Sequence, residues 1–135
     1  MQRNKYLDAL DIPMENYGTN FLNDDDPRAE KWQEERKQYG FDGRECWSLD
    51  QTFLEWLYSH FMKYKEDAKT TIVLSGPKAH KFQYMNKEID QLEAIDIIIN
   101  ACKSLLTSKD YYLNNKYLSK DVMVLLGDLL PSMWW

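Results

Sequence analysis

The sequence predicts an all-α, or nearly all-α, compact four-helix-type bundle with one small β-hairpin around residues 81–90. Three observations lead there. Apolar residues recur at helical spacing through two long runs, 49–67 and 91–107, which should be the most buried helices. Helix-start signals stand where those runs begin. Alternation of apolar and polar residues is confined to one short stretch. A chain of 135 residues, 44% apolar and 14% aromatic, holds enough large apolar surface for a core of its own, so residues 1–135 read as a single folded domain.

Residues 1–25 read as an irregular N-terminal adapter, with a short helix over about Lys5 to Leu10 and then Pro13, Gly18 and several Asn and Asp that favour turns. Asp26-Pro27 then offers an N-cap and a residue pre-shaped for the first helical turn, and Arg28 to Tyr39 run unbroken to Gly40. Ala29, Trp32, Arg36 and Tyr39 share one face of that helix, which makes it thinly amphipathic and surface-lying. After a turn through Phe41-Asp42-Gly43, Ser48 and Gln51 have the spacing of a capping box. Leu49, Phe53, Leu57, Phe61 and Tyr64 form one stripe of the helix that follows, and Leu54, Tyr58 and Met62 a second, which predicts a central position. The helix should reach about Ala68, before the β-branched Thr70 to Val73 and the stop at Gly76-Pro77.

Phe82 and Tyr84 alternate with polar residues, Asn86-Lys87 could turn, and Ile89 could return, which gives the hairpin. Asp90 and Glu93 make a D-x-x-E start for the second core helix, built on Leu92, Ile95, Ile98, Ile99, Cys102, Leu105 and Leu106. A short helix is expected from about Lys109 to Tyr117. Ser119 then caps a last helix carrying Val122, Leu125, Leu126, Leu129 and Leu130, closed by Pro131.

Composition excludes several classes of function. The net charge of −5 and the absence of a basic run disfavour direct nucleic-acid binding and an anionic membrane surface. No apolar run approaches the roughly 20 residues of a spanning helix. The opening MQRNKYLDALDI has no apolar signal core, so the expected place is the cytoplasm, where Cys46 and Cys102 would be free thiols. His60 and His80 are the only histidines, and no H-E-x-x-H, C-x-x-C, EF-hand, Walker or dinucleotide pattern occurs. These observations predict a non-enzymatic protein with no metal and no cofactor.

Three features invite a partner. Asp24, Asp25 and Asp26 form the densest charge cluster. The dipole of the following helix accounts for them structurally, and an acidic patch facing a basic groove on another protein accounts for them functionally. Trp134 and Trp135 either tuck back into the bundle or join a homodimer or partner contact. Arg44 and Trp47 either tie helices together or form a partner-binding corner, being residue types that dominate binding hot spots.

Between Tyr39 and Glu66 the chain reads YGFDGRECWSLDQTFLEWLYSHFMKYKE, and its last residues are PSMWW. These segments resemble short, uncharacterised proteins of phages and prophages of Gram-positive bacteria, with a G-F-D-x-R-E-x-W-x-L-D core, a W-L-Y helix and P-x-M-W-W. Asp42, Arg44, Glu45, Trp47, Leu49 and Asp50 occupy the motif positions. The resemblance covers about half the chain and implies a setting, the cytoplasm of a host cell, without a mechanism. In that setting the expected role is an accessory protein that binds and blocks a host protein with a basic surface, such as an antiviral defence nuclease of the CRISPR-effector kind. Sequestration of a nucleotide signal and a role in the virion or its assembly are the alternatives.

Overall fold

The computed structural model describes residues 4–12, 25–47, 49–68, 80–108 and 117–133. Among them are six α-helices, α1 (Lys5–Asp8), α2 (Ala29–Tyr39), α3 (Arg44–Trp47), α4 (Leu49–Ala68), α5 (Gln91–Thr107) and α6 (Lys120–Leu129). One two-stranded antiparallel sheet, β1 (Lys81–Tyr84) and β2 (Lys87–Asp90), precedes α5, and a 3-10 turn, Leu130–Ser132, follows α6. The protein is therefore the mostly helical domain with a small hairpin that its sequence predicts.

Capping chemistry sets most boundaries. Asp90 accepts a hydrogen bond from the Glu93 N–H at 2.9 Å and opens α5, and Ser119 accepts from the Val122 N–H at 3.2 Å and opens α6. Asn4 does the same for α1, accepting from the N–H groups of Tyr6 and Leu7. At the far end of α2, Gly40 adopts φ 83°, and its N–H closes on the Arg36 carbonyl at 2.9 Å. The start of α2 differs from expectation: the helix begins at Ala29 with Arg28 in the cap position, and Asp26 instead accepts from the Arg28 N–H one step earlier. The predicted capping box also fails on one side. The buried Gln51 amide has no hydrogen-bond partner for either its oxygen or its nitrogen, while Ser48 lies outside the described residues.

In the hairpin the register pairs Phe82 with Ile89 and Tyr84 with Lys87, so Phe82 and Ile89 both turn toward α5 and α6. The turn residues are Met85 and Asn86, at φ 50° and 62°, one position before the expected pair. Positive φ at both central positions is the mark of a type I′ two-residue loop, and this register places Met85 in one of them.

The core is formed by α4, α5 and α6 with the hairpin. Leu57, Ile95, Ile98, Cys102, Leu106, Leu125 and Leu129 are its most enclosed side chains. Leu7, Leu10 and Ile12 belong to the same cluster, so the described N-terminal stretch is part of the bundle and not an appendage to it. Asn4 also donates to the Ser59 hydroxyl of α4 at 3.0 Å. At the other end, Gln91 donates to the carbonyl and hydroxyl of Ser132 at 3.0 and 3.1 Å, latching the turn after α6 to the start of α5. The short helix expected over 109–117 and the pair Trp134 and Trp135 lie outside the described residues, except that Tyr117 is described and exposed.

One face of α4 departs from the central position predicted for it. Leu54, Leu57, Tyr58 and Phe61 are buried, but Leu49, Phe53 and Trp56 are 64%, 40% and 46% exposed. The two sets lie about 120° apart around the helix, and the core covers one of them.

Candidate functional site

The best-defined cluster of functional chemistry outside the core sits where α2 meets α3. Arg28 and Trp32 are four residues apart, at the start and on one face of α2, so the guanidinium reaches back over the indole, 5.1 Å from its ring centre. The Asp42-Gly43 turn brings α3 against them. Trp47 meets Trp32 edge to face at 6.2 Å and 74°, and Arg28 lies 5.0 Å from the Trp47 ring as well. Arg44 stacks on Trp32 at 4.4 Å. Trp32 is thus buried between two guanidinium groups and a second indole, an arrangement in which cation–π attraction supplements apolar burial.

Two aspartates fix the arginines. Asp26 accepts from the Arg28 backbone N–H, Nε and Nη2, each at 2.9 Å, and these bonds hold its carboxyl down at about 2. Asp42 is buried and accepts from Arg44 Nε at 3.0 Å, Arg44 Nη2 at 2.8 Å and the Arg44 backbone N–H at 3.0 Å, and it also takes a bond from Arg36 Nη1. The Arg44 contacts, ahead of Arg36, hold the Asp42 carboxyl below its ordinary value against the opposing effect of burial. Glu35 accepts from the Gly43 N–H at 2.8 Å and so pins the turn to α2.

Of the residues expected to meet a partner, Arg44 and Trp47 are brought together and Asp26 joins them through Arg28. Arg44 is largely covered, its side chain 12% exposed, whereas Trp47 is 52% exposed and the Arg28 side chain is half exposed. Asp25 is exposed, and Asp24, Trp134 and Trp135 lie outside the described residues. Arg28, Trp32 and Asp42 complete the corner. The i, i+4 spacing of Arg28 and Trp32 was a sequence signal for part of it. The approach of α3 was not, because nothing local fixes which way a four-residue helix faces.

Elsewhere the chemistry is sparse. Cys102 is fully buried, and burial pushes its thiol up to about 12, so it stays protonated and unreactive. Cys46 is a free, exposed thiol. Among the described residues no group of three His, Cys, Asp or Glu side chains converges as a metal site. No helix among them is long and apolar enough to cross a membrane. Shallow cavities lined by described residues include one of about 270 Å³ between α4 and the start of α6 and a second of about 440 Å³ between the hairpin and α5. The second presents Lys87 against Glu93 and Asp96, a poor match for a phosphate group.

No protein-family model, curated protein or solved structure matches the chain.

Proposed function

We propose that the protein acts without catalysis, by docking the Arg28–Trp32–Trp47 corner onto another protein. The observation that carries this reading is the half-exposed Trp47, whose ring is already positioned by the edge of Trp32 and by the Arg28 guanidinium. An exposed indole ordered in advance loses little entropy on binding, and Trp and Arg are the side chains that most often dominate interfaces. The overall charge of −5 and the exposed Asp25 beside the corner suit a partner with a basic surface. Asp26 already bonds Arg28, so this contact relies less on phosphate mimicry than on the aromatic–arginine stack.

The resemblance of residues 39–66 to phage proteins suits a host protein as that partner, and the proposed role is to block it. Sequestration of a nucleotide signal gains nothing from the cavity at the hairpin, where two carboxylates oppose phosphate. The test is a photo-crosslinker placed at position 47, with a second placed at Met85 as the off-surface control. Selective capture of one host protein from position 47, with Trp47→Ala weakening that purified complex by roughly 30-fold, supports the reading. Equal capture from both positions, or a complex indifferent to Trp47→Ala, overturns it.

A further inference from the structure

The outward face of α4 is apolar and exposed. Leu49, Phe53, Trp56 and His60 follow one another at intervals of four, three and four, which lines them up along one side of the helix. The stripe is stiffened at one end. His60 Nδ1–H donates to the Trp56 carbonyl at 2.7 Å, and the imidazole lies over the indole with ring centres 4.1 Å apart and planes 23° apart. Toward α6 the apolar surface continues into the cavity of about 270 Å³, whose rim includes the exposed Tyr117 and Met123.

We propose that this face pairs with the same face of a second copy, the two α4 helices running antiparallel about a two-fold axis between Phe53 and Trp56. The spacing is palindromic. Four-three-four reads the same from either end, so an antiparallel copy sets Phe53 against Trp56 and Leu49 against His60, and each contact occurs twice, as a two-fold interface requires. The area is sufficient. Scaled by the 150–250 Å² that a large aromatic side chain carries, the exposed parts of Leu49, Phe53, Trp56, Tyr117 and Met123 amount to about 550 Å². A standard interface buries about 800 Å² per partner, of which about 450–520 Å² is apolar.

Charge raises no obstacle. Between Asp50 and Lys63 the only ionisable carboxylate or amine of α4 is Glu55, which is buried on the opposite side. Asp50 lies on the cavity rim beside Phe53, and antiparallel pairing sends the two copies' Asp50 to opposite ends of the interface, so two chains of net charge −5 meet across a centre that carries no like charges. Trp47 precedes this helix, so the two interaction corners would lie at opposite ends of the paired helices.

Sedimentation equilibrium of the full chain should show a dimer at micromolar concentration. Trp56→Arg and Phe53→Arg alter exposed positions, so each should keep the wild-type circular dichroism while weakening the dimer by roughly a hundredfold. Register is tested in a Cys46→Ser background. Leu49→Cys with His60→Cys should form covalent dimers on mild oxidation, and His60→Cys alone should not. A wild-type monomer at 100 μM, at about that concentration or above, overturns the proposal, and so does a dimer indifferent to Trp56→Arg. Cross-linking by His60→Cys alone as fast as by the pair would mean parallel helices and would overturn the antiparallel arrangement.

Discussion

Asp42 bonds two arginines from a buried position, and its removal should be felt in both helices that they come from. Asp42→Asn keeps the shape but removes the charge that Arg36 and Arg44 share, and it should lower stability by about 1–3 kcal/mol, read from urea unfolding. The sign of the pH effect follows from the direction of the shift. The folded value lies below the ordinary 3.8, so the stabilisation is complete above about pH 4 and is lost as pH falls through the folded value. Asp42→Asn should therefore show a flatter acid limb than the wild type. Cys102 works at the other end of the scale. Its folded value of about 12 stands above the ordinary 9.0, so its contribution is complete below pH 9 and declines as pH rises from 9 toward 12. The thiols should also separate chemically, Cys46 reacting with a disulfide reagent in the native protein and Cys102 only on unfolding. Two equally fast cysteines would contradict the burial.

Helix ends were the most legible elements, because a cap is a local event: Asp90 and Ser119 accept the predicted bonds, and Gly40 terminates α2 in the left-handed region that its lack of a side chain allows. What local pattern could not supply was direction. The α4 stripes named the apolar residues correctly, but Leu49 and Phe53 face out because only one side of the helix meets α5. The hairpin shows a further limit, since its register follows the burial of Phe82 and Ile89 and moves the turn onto Met85, a residue with no preference for positive φ. Its exposed side chain has little packing to lose. Met85→Asn should relieve about 1 kcal/mol of backbone strain and raise the melting temperature by a few degrees, measured by calorimetry. A lower melting temperature would mean that the Met85 side chain makes a contact worth more than the strain.

Two bodies of packing of unequal strength share this molecule. The large one joins α1, α4, α5, α6 and the hairpin through a continuous set of buried apolar side chains. The small one surrounds Trp32, which is buried yet stands apart from that set and is enclosed by Arg28, Arg44 and Trp47. The sequence disclosed the first through its periodicity. It showed the second only as a thinly amphipathic helix next to an Arg-Trp motif, because stacked guanidinium groups leave no apolar repeat to read. Regions with few buried apolar contacts open locally at lower free energy than the global transition, so α2 should open before α4 and α5 do. Native-state hydrogen exchange should find the amides of Ala29–Tyr39 exchanging sub-globally, while those of Leu54–Phe61 and Ile95–Cys102 exchange only on global unfolding. Trp32→Ala sharpens the test, since it removes the centre of the small cluster and leaves the large core untouched. The variant should lose helical signal worth about the length of α2 while keeping most of its cooperative melting transition. If Trp32→Ala instead abolishes that transition, or the α2 amides are protected as strongly as those of α5, the corner and the core fold as one unit.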